Sequence, residues 1–116
     1  MKENGNHMNH VKVRYKTAII EFEDSIENQH EEIIEELVHL VEHDFKSYIF
    51  DFTWMNDTLS STVVGFIIAS IKKLLENEAH VNIRNITEHD LDTLKLVGVV
   101  DFSDKNKNLT ILIRED

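Results

Sequence analysis

The chain contains no cysteine, which excludes disulfides, thiolate chemistry and zinc–sulfur sites. It contains no proline, and no segment has the composition of a linker or an internal repeat. Only three of the 116 residues are glycine, and none belongs to a glycine-rich loop of the kind that cradles phosphate. No apolar run is long enough to span a membrane. The longest, residues 63–69, is broken by Gly65 and soon followed by Lys72 and Lys73. The polar first ten residues lack the apolar segment of a secretory signal, so a soluble cytoplasmic protein is expected. Basic residues are also scarce: 12 Lys plus Arg stand against 22 Asp plus Glu, a net charge of −10. With no basic patch, such a domain repels nucleic acid and anionic membranes. A protein partner with a basic surface would be steered toward it.

With 41% hydrophobic and 29% charged residues, the chain has the composition of one globular domain around one core. Residues 1–10 are expected to be a flexible N-terminal tail and residues 11–116 the folded domain. Val11, Val13 and Tyr15 alternate with Lys12 and Arg14, the period of a half-exposed strand. Residues 17–22 read as a second strand, joined to the first by a short turn. Asn28 with Glu31 has the spacing of a capping box. The helix it would start carries an apolar face of Ile33, Ile34, Leu37, Val38, Leu40 and Val41. Residues 48–52 form a nearly continuous apolar run, as in a central strand covered on both faces. Val64, Ile67, Ile68, Ile71, Leu74 and Leu75 form the buried stripe of a second helix, widened by Val63 and Phe66. Val81 and Ile83 mark a further strand. Thr87, with Asp90 three residues on, starts a short helix through Leu91, Leu94 and Val97, which Gly98 ends in a left-handed cap. Residues 109–113 are the closing strand. The order β-β-α-β-α-β-α-β predicts an α/β fold: one mixed sheet flanked by helices in a single domain.

Residues 48–72 are the most informative stretch: a strand, a polar turn crowded with hydroxyls, then a strongly apolar helix. Helix N-terminal amides favour negative charge. Thr58, Ser60, Ser61 and Thr62 sit on or beside that terminus, either as caps or as sites where phosphate is added.

These motifs resemble the STAS domain family of anti-sigma-factor antagonists, stressosome scaffold subunits and cytoplasmic domains of sulfate transporters. The similarity runs from about Val11 to Ile113. Phe50-Asp51-Phe52-Thr53 looks like the family's leucine-aspartate-leucine-serine strand. The segment from Ser60 to Gly65 looks like its Asp-Ser-Ser-Gly-Leu-Gly turn, with Leu59 in place of the acid and Thr62 in place of the first glycine. Leu94-Lys95-Leu96-Val97-Gly98-Val99 looks like the leucine-rich helix end that closes on glycine. The turn after the second helix, at residues 76–79, lacks the usual glycines. The resemblance implies a STAS-like fold and a non-enzymatic regulatory role without a cofactor. It implies phosphorylation of a turn serine by a histidine-kinase-like ATPase that doubles as an anti-sigma factor, with release of the complex. Counting forward from Asp51 places the acceptor at Ser60; counting back from Lys72 places it at Ser61. The implied partner surface comprises Trp54, Met55, Asp57, Thr58, Ser60, Ser61 and Thr62. The alternative within the same fold is a non-phosphorylated structural subunit of a larger assembly, a stressosome-like scaffold or a transporter accessory subunit, with a homo-oligomer or scaffold assembly as its setting.

Other constellations carry less. Asp51, Asn56 and Asp57 could form a carboxylate cluster, but strand-end acids beside a turn are more often caps, and no nucleophile–base–orienter set accompanies them. His39 and His43 share a helix face as a metal pair would, yet no third ligand is evident and Glu35, Glu36 and Glu42 mark that face as solvated. Trp54 and Met55 fit equally as cover for the sheet's end or as an exposed anchor beside the turn.

Overall fold

The computed structural model describes residues 11–24, 30–103 and 105–115. The tail at 1–10 and the proposed Asn28 cap lie outside the described residues. The strands are β1 (Val11–Arg14), β2 (Thr17–Glu23), β3 (Ser47–Trp54), β4 (His80–Ile86) and β5 (Leu109–Ile113). The helices are α1 (His30–Glu42), α2 (Ser61–Glu76) and α3 (Glu88–Val97), in the order the periodicity predicts. The sheet runs β1-β2-β3-β4-β5, with β1 antiparallel to β2 and every other pair parallel. No helix among the described residues is long and apolar enough to cross a membrane.

The sheet has a dry face and an open one. Ala18, Ile20 and Phe22 of β2, Tyr48, Phe50 and Phe52 of β3, and Val81, Ile83 and Ile86 of β4 are all buried. They lie in register, Ile20 beside Phe50 and Phe50 beside Ile83, beneath the helices. Phe22 stacks on Phe52 with ring centroids 4.6 Å apart and tilts against Phe50 and Phe66, which locks β2, β3 and α2 together. Tyr48 donates its hydroxyl to the Phe45 carbonyl at 2.9 Å, and burial pushes its ionisation up to about 12. On the opposite face, Ile49, Asp51 and Asn82 are only half-buried, and Arg84, Thr110 and Leu112 are exposed. The strand at 48–52 is therefore covered on one face, not two. The alternate positions carry Asp51 and Thr53, whose polar groups need water or hydrogen-bond partners.

α2 is the central helix of the layer, packed against α1, α3 and β4. It buries Val63, Val64, Phe66, Ile67, Ile68, Ile71 and Leu74, as its apolar stripe requires. α1 buries Ile33, Leu37 and Leu40, while Ile34 and Val38 stay 39% and 50% exposed, so its buried face is narrower than its apolar stripe. The exposed pair borders an open groove of about 500 Å³ between α1 and α2. α3 buries Leu91 and Leu94, but Val97 emerges into solvent as the helix ends at Gly98, whose φ of 75° suits a residue without Cβ. Tyr15 leaves the strand pattern: with Lys16 it forms the tip of the β1–β2 hairpin, both at positive φ as a two-residue primed turn demands. Glu78 adopts φ 64° in the glycine-free turn after α2.

Candidate functional site

The hydroxyl-rich turn lies between the end of β3 and the N-terminus of α2. Ser60 is the N-cap of α2: its backbone is extended and its Oγ accepts from Val63 N at 3.2 Å. Ser61 is the first helical residue and is exposed, as are Asp57, Thr58 and Thr62. Val63 and Val64 follow as core residues, so apolar burial pins the helix start and leaves its first two side chains at the surface.

Trp54 and Met55 separate at this point. Trp54 is 58% exposed, whereas Met55 is 6% exposed and joins the core. The reversal is local: Met55 N donates to the Phe52 carbonyl at 3.1 Å, which ends the strand alternation and turns Met55 inward. Trp54 stands as an exposed aromatic beside the turn; Met55 covers the end of the sheet and is not a surface contact.

Three groups distant in sequence hold the turn in place, and no sequence motif ties any of them to the turn. Asp24, just after β2, accepts from Asn56 N and Asp57 N, each at 3.0 Å, through one carboxylate oxygen. Its other oxygen accepts from Asn56 Nδ2 at 3.4 Å. The Asp57 amide, then the Asn56 amide, hold the Asp24 carboxyl below its ordinary range. Asp90, buried in the first turn of α3, accepts from Leu59 N at 3.3 Å, while its own N–H donates to Thr87 Oγ1. Arg114, just past β5, donates from Nη2 to the Phe52 and Thr53 carbonyls and from Nε to the Asn85 carbonyl. Asp51 accepts from both the backbone N and the Oγ1 of Thr53, and Asn85 Nδ2 donates to Thr53 Oγ1. Asp51 thus spends its carboxylate on Thr53, two residues along β3, whereas Asp57 is exposed on the turn.

The imidazoles of His39 and His43 lie 4.2 Å apart between centroids, but His43 Nδ1 is 2.9 Å from the His39 carbonyl, an interaction that terminates α1. Among the described residues, no group of three or more His, Asp or Glu is placed to hold a metal ion. The site therefore offers a rigid exposed turn, hydroxyls on a helix N-terminus and one large exposed aromatic.

No family sequence model matches this chain, and no curated protein sequence matches it significantly. Solved structures do match. A Moorella thermoacetica RsbS variant with a serine-to-glutamate substitution matches with a TM-score of 0.71 at 13% identity, covering 90% of this chain and 86% of that one. A structure of the stressosome, described as a signal integration and transduction hub, matches with a TM-score of 0.68 at 18% identity, covering 90% and 87%. A Thermotoga maritima protein suggested to be an anti-sigma factor antagonist gives 0.63 at 11% identity, covering 92% and 89%. The fold is STAS-like over about nine-tenths of the chain. At these identities the likeness is one of fold.

Proposed function

We propose that the chain is a cytoplasmic, non-enzymatic regulator: an anti-sigma-factor antagonist that docks on its partner through the β3–α2 turn and is switched by phosphorylation of Ser60 or Ser61. The partner in this reading is a serine kinase of the histidine-kinase-like ATPase type. The observation that carries the reading is the juxtaposition of exposed Ser61 and Thr62 at the start of α2 with the exposed ring of Trp54 at the end of β3. Asp57 and Thr58, exposed between them, complete the contact surface. Phosphate there adds nearly two negative charges. In the free protein, the helix terminus and water accommodate them; against an apolar or acidic partner face they are desolvated without compensation.

The test is an affinity series with a histidine-kinase-like ATPase, sought among the products of the adjacent genes. Ser60→Ala and Ser61→Ala should keep affinity within about threefold, Ser60→Ala losing roughly 1 kcal/mol of stability with its cap. An Asp at the acceptor position should weaken binding by about thirtyfold or more, since a desolvated unpaired charge costs about 2 kcal/mol upward. Equal affinities in all forms, together with no phosphate transfer from ATP to either serine, would leave the second reading. That reading is a constitutive structural subunit, and it is favoured by apolar side chains exposed away from the turn: Leu96, Val97, Val99 and Leu112.

A further inference from the structure

β5 is one edge of the sheet, and its five residues, Leu-Thr-Ile-Leu-Ile, carry no charge and no proline. The other edge, β1, presents Lys12 and Arg14, the kind of residues that blunt an edge against further pairing. The orientation of the β5 backbone follows from its ends. Val81 N donates to the Asn108 carbonyl and Arg114 N donates to the Ile86 carbonyl, each at 2.8 Å. Even-numbered residues of this segment thus turn their backbone groups toward β4, and Leu109, Ile111 and Ile113 turn theirs outward. Leu109 N is engaged by the Asn106 carbonyl at 3.3 Å, but no backbone bond from outside the sheet reaches Ile111 or Ile113 among the described residues. Leu112 and Ile113 are 56% and 38% exposed.

We infer that β5 is a self-association edge: two copies pair their β5 strands antiparallel about a twofold axis at Ile111, forming one continuous sheet. In this register Ile111 exchanges its N–H and C=O with its mate, and each Leu109 carbonyl accepts from the partner's Ile113. Leu109 lies opposite Ile113, and Thr110 lies opposite Leu112, so apolar side chains meet along the seam. Charge selects a second copy in this orientation. Lys107 lies opposite the partner's Glu115, and the symmetry repeats the pair at the far end. Neither residue has an ion-pair partner within its own chain among the described residues. A parallel arrangement would align each charge with its like. Pairing of β5 with the β1 edge of another copy would not close and would grow into filaments. The edge lies on the opposite flank of the sheet from β1, and this inference rests on neither reading of the β3–α2 turn. A seam of this length lies below the area of a stable interface, so the dimer is weak, with Kd on the order of 10 μM.

Hydrogen exchange and sedimentation of the full chain at about 0.15 M salt, where the Debye length is about 8 Å and the net charge of each copy is screened, provide the test. The amides of Ile111 and Ile113 should exchange freely in dilute protein and become protected as concentration rises, while those of Thr110 and Leu112 stay protected throughout. Lys107→Glu or Glu115→Lys alone should weaken the dimer about tenfold, and the two together should restore it. Ile113→Pro removes an outward N–H that the monomer does not use. It should abolish the dimer while circular dichroism and the β2–β4 amides report an intact fold. A monomer at every concentration up to about 1 mM would overturn the inference, given the affinity range of such seams. So would dimerisation without protection of Ile111 and Ile113, or a double charge reversal that fails to restore what the single reversals lose.

Discussion

Replacing Asp90 with alanine removes the side-chain acceptor that the Leu59 amide has among the described residues, and with it this tie between α3 and the turn that leads into α2. A good hydrogen bond to a charged acceptor contributes about 1.5–3 kcal/mol. At 3.3 Å this one is long, so the low end applies. The carboxylate also sits in the first turn of α3, where the helix dipole adds roughly 0.5 kcal/mol. Against these, alanine relieves the desolvation of a side chain that is only 4% exposed, which offsets part of the loss. The net expectation is a destabilisation of about 1.5 kcal/mol, or some 6–8 °C in Tm for a domain of this size. Asp90→Asn keeps an acceptor of the same shape and should lose about half as much. Urea unfolding at pH 7 measures the global change, and hydrogen exchange at the Leu59 amide measures the local one. If the alanine variant unfolds within about 0.5 kcal/mol of wild type, or the Leu59 amide exchanges no faster, then Asp90 does not anchor the turn.

Gly65→Ala should stabilise the protein by about 0.5–1 kcal/mol, because the position is interior to α2, exposed, and has nothing within 4 Å of an added Cβ. A lower urea midpoint for this variant would contradict the packing around α2. The Asp24 carboxyl should titrate below its ordinary value of 3.8, with the Asn56 and Asp57 amides shifting at the same midpoint in NMR. A lowered folded-state pKa means that the stability Asp24 supplies is complete above the unfolded-chain value, about 3.9. It is lost as pH falls through the folded-state pKa. The stability difference between wild type and Asp24→Asn should therefore shrink below about pH 4, and a difference that persists unchanged would refute the role of the ionised carboxylate.

The features legible in the sequence are those with local causes. Thr87 and Ser60 cap helices because a hydroxyl three residues before a free amide is a short-range arrangement, and Gly98 ends α3 because its φ is positive. Element order followed from periods of two and 3.6 for the same reason. The supports of the turn were not legible. Asp24 reaches residues 32 and 33 positions away, Asp90 reaches 31, and Arg114 reaches 61 and 62. No local pattern marks Asp24 or Arg114, and the spacing of Asp90 from Thr87 signals only the start of α3, not its bond to the turn. The one-sided sheet was legible only in part. Asp51 within the apolar run signals a wet face, but Ile49 and the density of aromatics hide it. Trp54 and Met55 are adjacent and similar in hydropathy, and only the tight turn at Phe52 decides which of them is buried.

If the proposed switch operates, the charges around the helix starts favour a phosphate at the start of α2. α1 carries Glu31 and Glu32 in its first turn, and α3 carries Glu88 and Asp90, but α2 carries no acid there. In a chain of net charge −10, the first turn of this helix therefore holds no acid of its own, and the carboxylate bonded to the backbone nearest its start is that of Asp90, on the Leu59 amide. A phosphate on either serine would supply a negative charge there, worth up to about 1 kcal/mol to the folded state. Modification would therefore leave the fold intact and act on the partner alone, as a reversible switch requires. The two hydroxyls differ in what a kinase must displace. Ser60 Oγ already accepts from Val63 N, and drawing it into a kinase site breaks a cap worth about 1 kcal/mol, a factor of roughly five in the reactive population. Ser61 is exposed at the first helical position and has no capping bond to break. On these energetics Ser61 would be the better acceptor in the proposed switch, while Ser60 keeps the helix start in register beside it.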